Sequence, residues 1–177
     1  MQQFQAVLDA IPEIRYVGDP ILRQVTEPTT QEEGVEIAKR LELVLLKYRS
    51  ITGRGRGLAA PQIGESKSVF ITFVDDKIET FMNPRVIEKS LKTNFYRELC
   101  MSTGIMSADV ERPDWIVLEW MDETGRIHSG KVDGFKARLC QHEEAHLRGV
   151  LNVDEAVSGG IEFATFDPLK ERLRDAV

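Results

Sequence analysis

The sequence predicts an α+β domain in which antiparallel β-hairpins and sheets pack around one central helix. Two segments, residues 34–50 and the residues after Gly134, repeat apolar side chains with the helical period. Between them lie four short runs rich in β-branched and aromatic residues, which turn-forming residues separate. Strands joined by short turns pair antiparallel, and a helix that follows such strands packs across them, so these elements belong to one fold class.

The first predicted helix, an N-terminal amphipathic helix, spans residues 34–50. Its apolar stripe consists of Ile37, Leu41, Val44, Leu45 and Tyr48. Charged residues lie mostly off this stripe, so we expect the helix to pack one face on an apolar core. The next segment, residues 53–64, contains four glycines and a proline. That composition predicts a loop whose backbone approaches another group closely.

The predicted strands follow this loop and form hairpins. They are the runs SVFITFV, ETFMNPRVI, DWIVLEWM and RIHSGKV. Residues 75–77 and 122–125 are turn-forming and separate neighbouring runs, so we expect two antiparallel pairs. His128 lies in the last run without an obvious partner, and we expect it at a surface or a sheet edge.

The central helix is predicted to begin after Gly134 and to end near Gly149, a typical residue just past a helix C-terminus. The residues expected on one of its faces are Phe135, Leu139, His142 and His146. Cys140 should lie away from that face, and we interpret it as structural. A short C-terminal helix is predicted from residues 167–168, where Asp precedes Pro at a first turn.

Size and charge limit the class of protein. The 177 residues contain no internal repeat or long linker, which predicts one domain over residues 1–177. A net charge of -6 argues against a nucleic-acid partner. No apolar run is long enough to span a membrane and the first residues do not resemble a signal peptide, so we expect a cytoplasmic protein without a membrane partner. A chain of this length needs no disulfide framework.

The strongest chemical signal is the segment HEEAH at residues 142–146. On a helix, His142 and His146 project from the same face one turn apart, so they can bind one metal ion while Glu143 accepts a proton from water. Alternatively, both histidines pack in a core or face solvent. A catalytic site also needs a third ligand. The acidic residues downstream are poor candidates, whereas Cys100 upstream would complete a site suited to iron, zinc, nickel or cobalt; otherwise Cys100 is a small buried apolar residue.

Four segments in this order resemble the peptide deformylases, which remove the formyl group from the initiator methionine of new proteins. They are residues 55–64 (GRGLAAPQIG), 83–84 (NP), 98–102 (ELCMS) and 141–147 (QHEEAHL). The resemblance covers almost the whole chain. It implies a metal-dependent hydrolase that acts on N-formylmethionyl peptides, with nascent chains at the ribosome as partners. Because the chain is acidic, we expect no direct contact with nucleic acid. The oligomeric state is not predicted.

The resemblance also implies the role of each site residue. The implied ligands of one divalent metal ion are Cys100, His142 and His146. Fe²⁺ is the implied ion in the cell, with Zn²⁺, Ni²⁺ or Co²⁺ in purified protein. Glu143 would activate the metal-bound water, while the Gln62 side chain and the backbone N–H of Met101 would donate to the oxyanion. The implied substrate-binding residues are Gly55, Arg56, Gly57, Leu58, Tyr96, Glu98, Leu99, Phe135, Arg138 and Leu139.

Several residues depart from the family's pattern, among them Met101 for the common leucine and Thr103-Gly104 for the frequent Val-Pro. Leu99 stands where a glycine is usual, Arg56 where a small aliphatic residue is usual, and Ala145 where an aspartate is usual. None of them is an implied metal ligand. Two alternatives to deformylation follow: an amidase of the same fold that acts on another formylated or acylated amine, and a homologue that binds formyl peptides or metal without catalysis.

Overall fold

The computed structural model describes residues 2–163 of the chain. Its helices are α1 (Gln2–Ala10), α2 (Gln31–Thr52) and α3 (Gly134–Leu147). Its strands are β1 (Gly57–Ala59), β2 (Val69–Val74), β3 (Lys77–Lys89), β4 (Thr93–Leu99), β5 (Met106–Pro113), β6 (Trp115–Met121), β7 (Ile127–Asp133) and β8 (Ala156–Phe163). Short 3₁₀-helices occupy Pro20–Arg23, Ala60–Ile63, Met101–Thr103 and Asn152–Asp154.

The strands form two antiparallel sheets. The larger sheet has the order β1-β2-β3-β6-β7, and the smaller one has the order β4-β5-β8. The β2–β3 hairpin turns at Asp75 and Asp76, whose φ values of 51° and 56° are typical of the tight turns that match the strand twist. The predicted α+β class is confirmed, and α3 lies between strands of both sheets as the central helix.

The larger sheet separates two apolar clusters. Strand β2 supplies both, because its successive side chains point to opposite faces. Val69 and Ile71 pack with Leu41 and Leu45 of α2 in one cluster. Phe70 lies in the other cluster with Phe81, Ala137 and Cys140, the last two from α3. Both faces of β2 are therefore covered by helices.

Helix α2 begins and ends near the predicted residues. Thr30 precedes it, and the side chain of Thr30 accepts a hydrogen bond from the backbone N–H of Glu33 at 3.3 Å. The predicted apolar stripe is buried apart from Tyr48, which is partly exposed. The sequence therefore predicts both the helix and the face that it buries.

Helix α3 ends where Gly149 predicts. Gly149 has a φ of +76°, and a Cβ added there would lie 2.7 Å from the backbone of Arg23. Glycine is thus required both by the left-handed conformation and by the close approach of the segment that follows Pro20–Arg23.

Several predictions differ from the structure, and one concerns residues outside 2–163. The structure adds α1, β1, β4, β5 and β8, none of which the sequence pattern separated as an element. His128 is exposed on the edge strand β7, as expected, but it has partners: its Nε2 lies 2.6 Å from Asp122 Oδ2, and its ring stacks on Trp120 with a centroid distance of 5.3 Å. The predicted C-terminal helix lies outside the described residues. No helix of residues 2–163 is long and apolar enough to cross a membrane.

Candidate metal centre

Three predicted ligand atoms converge at the middle of the molecule. The donor atoms of Cys100, His142 and His146 all lie within 4.8 Å of one another. Cys100 Sγ is 3.3 Å from His146 Nε2. The three residues are between 1% and 6% exposed. Their donor set and spacing fit a single divalent ion held by one thiolate and two imidazoles.

Different elements position these ligands. Cys100 follows β4 directly and precedes the 3₁₀-helix Met101–Thr103. Its carbonyl oxygen accepts hydrogen bonds from the backbone N–H and the hydroxyl of Thr103, both at 3.2 Å. His142 and His146 lie one turn apart on α3, with their ring centroids 5.0 Å apart. Both cysteines are free thiols, and Cys140 lies in the apolar cluster under α3, where burial raises the pKa of its thiol to about 12. The structural interpretation of Cys140 fits this placement.

The polar surroundings of the two rings fit a bound cation. His142 Nδ1 lies 2.8 Å from Glu98 Oε2, which leaves His142 Nε2 for the ion. Burial disfavours a charge there, but the hydrogen bonds to Cys100 and Glu98 outweigh it and raise the pKa of His142. The pocket thus stabilises positive charge at this ring. Burial, followed by repulsion from His142, lowers the pKa of His146, which keeps its imidazole in the neutral form that binds metals.

Behind His142, the Glu98 carboxylate is shared by buried cationic groups. Glu98 is 0% exposed, and it accepts two hydrogen bonds from Arg112, at 2.6 and 2.8 Å, and one from Arg138, at 2.7 Å. Burial alone would raise the pKa of Glu98, but the hydrogen bonds from Arg112 and His142 outweigh burial and hold it well below its usual range. The carboxylate is therefore ionised and fully used.

This placement corrects two expectations about substrate binding. Glu98 and Arg138 lie behind His142, and neither lines the cavity in front of it. The Arg138 guanidinium also donates to the carbonyl oxygens of Val110 and Asn94, at 3.2 and 2.7 Å. Four acceptors, the Asn94 side chain included, thus use the donors of Arg138, which is itself 4% exposed, so Arg138 supports the site from inside the protein.

The buried carboxylate of Glu143 does not use all of its hydrogen-bonding capacity. It is 3% exposed, and its Oε2 has no hydrogen-bond partner among residues 2–163. Burial raises its pKa to about 7. The β1 backbone passes so close that a Cβ on Gly57 would lie 2.7 Å from Glu143 Cδ. A carboxylate with a pKa near neutrality, facing a cavity, is suited to accept and return a proton.

Gln62 is held with its amide nitrogen toward the metal ligands. Its Oε1 accepts a hydrogen bond from the Ala59 N–H at 2.8 Å, which orients the side-chain amide. Its Nε2 then donates to Cys100 Sγ at 3.4 Å and to Ser102 Oγ at 3.2 Å. Met101 begins a 3₁₀-helix, so its N–H has no acceptor within that helix. The Gln62 amide nitrogen therefore lies beside the thiol.

These groups open into one cavity of about 250 Å³. Its lining residues are Tyr48, Gly53, Arg54, Gly55, Arg56, Gly57, Gln62, Leu99, Cys100, Met101, Leu139, His142 and Glu143. Leu58 lies in the apolar cluster on the α2 side, 0% exposed. Tyr96 and Phe135 are exposed by 36% and 41% and do not line this cavity. Half of the ten residues that the resemblance implies for substrate binding therefore line it.

The sequence prediction missed two side chains of the cavity. Tyr48 lies on the apolar stripe of α2, and that position predicts a core residue rather than a residue of the cavity. Burial is the main cause that raises the pKa of its phenol to about 12. Arg54 belongs to the glycine-rich loop, and the predicted close approach of that loop was the signal that could have included it.

Comparisons with known proteins show the family of this chain. The family model described as "Polypeptide deformylase" matches residues 11–160. A peptide deformylase from Treponema pallidum is 33% identical over 144 residues, which cover 80% of this chain and 86% of the relative. One from Prochlorococcus marinus strain MIT 9312 is 37% identical over 152 residues, covering 82% of this chain and 74% of the relative.

Solved structures give the same result. The peptide deformylase of Thermotoga maritima aligns with a TM-score of 0.73 and 32% identity, over 82% of this chain and 97% of that one. A class I type b peptide deformylase from Acinetobacter baumannii with bound Met-Ala-Ser aligns with a TM-score of 0.74 and 25% identity, over 80% and 96%. The matched region contains every residue of the candidate metal centre, and the chain belongs to the polypeptide deformylase family.

Proposed function

We propose that this chain is a metal-dependent hydrolase that removes the formyl group from the N-terminal formylmethionine of nascent peptides. The observation that carries the proposal is the convergence of three candidate ligand atoms, the buried Glu143 carboxylate and the Gln62 amide on one cavity. Residues 1–177 would form one catalytic domain. The finer parts of the proposal are Fe²⁺ as the ion used in the cell, substrates that emerge from the ribosome, and a cytoplasmic location.

Each polar group of the cavity has a role in amide hydrolysis. Cys100, His142 and His146 would hold the ion, which supplies Lewis-acid chemistry by lowering the pKa of water and polarising a carbonyl. Glu143 accepts the proton of the attacking water and afterwards gives it to the departing amine, since its raised pKa lets it exist in both states near neutral pH.

The oxyanion that forms on the formyl carbon needs hydrogen-bond donors. The Gln62 amide is already oriented by Ala59, and the backbone N–H of Met101, the residue after Cys100, would supply the second donor. Because both donors are held before substrate arrives, little reorganisation is required in the transition state. The products are formate and a peptide with a free amine.

The experiment measures formate release from a formyl-Met tripeptide by protein purified under argon and loaded with Fe²⁺. We expect turnover in the native protein, and a loss of about 10²- to 10⁴-fold in Glu143→Gln with unchanged metal content. The matched control is Glu144→Gln, which alters the neighbouring carboxylate that pairs with Arg148 on the outside of α3. Equal activity in native and Glu143→Gln protein would contradict the assigned base.

Metal exchange tests the choice of ion. A thiolate ligand on iron is open to oxidation, which would remove Cys100 from the site. We expect air to inactivate the Fe²⁺ form faster than the Ni²⁺ form, as followed by formate release and by the loss of free thiol. Equal decay of the two forms would contradict an iron–thiolate centre.

A second candidate function is hydrolysis of another N-formyl or N-acyl amine. Two residues that depart from the family pattern, Leu99 and Arg56, both line the cavity. A panel of formyl and acetyl substrates with different first side chains separates the candidates. Higher kcat/KM for any compound than for formyl-Met peptides would favour the second one.

A further inference from the structure

The base and the mouth of the cavity differ in burial and in charge. Glu143 and His142 at the base are 3% and 6% exposed. Arg56 at the mouth is exposed, and Arg54 beside it is partly buried. The whole chain carries a net charge of -6, so two guanidinium groups on one rim stand out against an acidic protein. Charged side chains around a cleft attract or repel a charged ligand that enters it.

The loop that carries this rim is anchored at each residue from 54 to 56. The Arg54 N–H donates to Thr52 Oγ1 at 3.1 Å, and Arg49 Nη1 donates to the Gly55 carbonyl oxygen at 2.6 Å. The Phe73 N–H donates to the Arg56 carbonyl oxygen at 2.6 Å, which ties the loop to β2. The rim is therefore ordered before a substrate binds, and less conformational entropy is lost on binding.

Arg56 presents its guanidinium to the mouth of the cavity. Its Cζ lies 5.8 Å from the centroid of the Phe135 ring, at the outer limit of a cation–π contact. It forms no ion pair with any carboxylate of residues 2–163. Burial and then repulsion from Arg56 lower the pKa of Arg49, while attraction to Asp76 opposes them, so Arg56 lies close enough to act on a neighbouring charge. A planar guanidinium of this kind pairs with a carboxylate through two parallel hydrogen bonds.

We propose that Arg56 determines specificity by favouring formylated peptides whose second residue is acidic. The inference rests on the proposed function, because the formyl carbon must reach Glu143 at the cavity base. The first residue then occupies the cavity, and the second is the first to reach the mouth. An Asp or Glu side chain at that position meets the Arg56 guanidinium, whereas a Lys side chain is repelled by it.

The experiment compares three formyl-Met tripeptides that differ only in the second residue, Asp, Asn or Lys, on the metal-loaded protein. We expect kcat/KM to fall in the order Asp, Asn, Lys, with about threefold between neighbours and about tenfold in all at low ionic strength. Raising the salt to 1 M shortens the Debye length to about 3 Å and should bring the three values together. This salt series needs no variant, so it does not depend on the folding of a mutant.

Variants then assign the effect to one residue. Arg56→Met keeps most of the side-chain length and should make the three peptides equivalent, while Arg56→Glu should reverse their order. The control Arg126→Glu makes the same charge change at the exposed β6–β7 turn, outside the cavity lining, and should leave the order unchanged.

Two outcomes would overturn the inference, and they differ from failure of the proposed function. Equal kcat/KM for the three peptides, or an order that persists in Arg56→Met, would show that Arg56 does not select the second residue while deformylation itself stands. Absence of formate from all three peptides, the Asn peptide included, would remove the proposed function and this inference with it.

Discussion

The two sides of His142 satisfy their buried polar groups to different extents. Behind the ring, Glu98 accepts hydrogen bonds from Arg112 and Arg138 and contacts the ring itself. In front of it, the Oε2 atom of Glu143 has no partner among the described residues, although Glu143 is as buried as its neighbours. A buried group without a partner lowers stability, whereas a saturated network is rigid. The Glu98 side, whose carboxylate is saturated, therefore supports the ring, and the Glu143 side leaves a carboxylate oxygen available to a ligand in the cavity.

The largest expected effect comes from breaking the saturated side. Glu98→Gln removes the charge that compensates two buried guanidinium groups, so we expect the free energy of unfolding to fall by about 3–5 kcal/mol. Urea unfolding followed by circular dichroism measures it. The control Glu119→Gln disrupts the ion pair with Arg85, where the Arg85 side chain is 74% exposed, and should change stability by less than about 1 kcal/mol. Similar losses in both variants would contradict the distinction.

On the front side, Gln62→Ala should affect activity more than stability. It deletes one preorganised donor to the oxyanion, which typically raises the barrier by about 2.7–4 kcal/mol. We expect kcat to fall by about 10²- to 10³-fold, with metal content retained. Steady-state formate assays with metal analysis test this, and a change confined to KM would argue against the oxyanion role.

Gly57→Ala tests how closely the front side is packed. The new Cβ would collide with the Glu143 carboxylate, and displacement of a catalytic group by about 1 Å can lower the rate about 100-fold. Gly130→Ala is the matched control, since a Cβ there meets nothing within 4 Å. Comparable kcat values for the two variants would show that Glu143 does not need its present position.

Cys140→Ala has the smallest expected effect. The residue lies on α3 two positions before His142, but it points into the apolar cluster. Loss of one buried sulfur should lower stability by about 1 kcal/mol, and metal content and formate release should not change. Metal loss in Cys140→Ala, at a level similar to that in Cys100→Ala, would contradict the assignment of a single thiol ligand.

The sequence predicted the elements with strong periodicity and missed those without it. Helix α2 and strands β2 and β6 have regular apolar patterns. Strand β4 was missed because most of its side chains are exposed or polar, including Asn94, and its pairing partner β5 lies beyond the Met101–Thr103 turn. The local pattern of apolar and polar residues does not indicate which strands pair in this way.

The meeting of the three candidate metal ligands was predictable because helix geometry and motif order constrain it. The ion network behind them was not, because Glu98, Arg112 and Arg138 come from three elements whose meeting depends on tertiary packing. An arginine on a helix face usually indicates solvent, so Arg138 gave no signal of burial at 4% exposure.

Strand β2 contributes side chains to both apolar clusters, so the two clusters should unfold together. Val69 and Ile71 belong to the layer under α2, while Phe70 between them belongs to the layer under α3, the helix that holds both histidines. Detaching α3 would expose one side of a strand whose other side remains packed. Hydrogen exchange at the Phe70 and Ile71 amides should therefore require unfolding of the entire protein. Helix α3, which carries both histidines, should not unfold separately at a lower free energy.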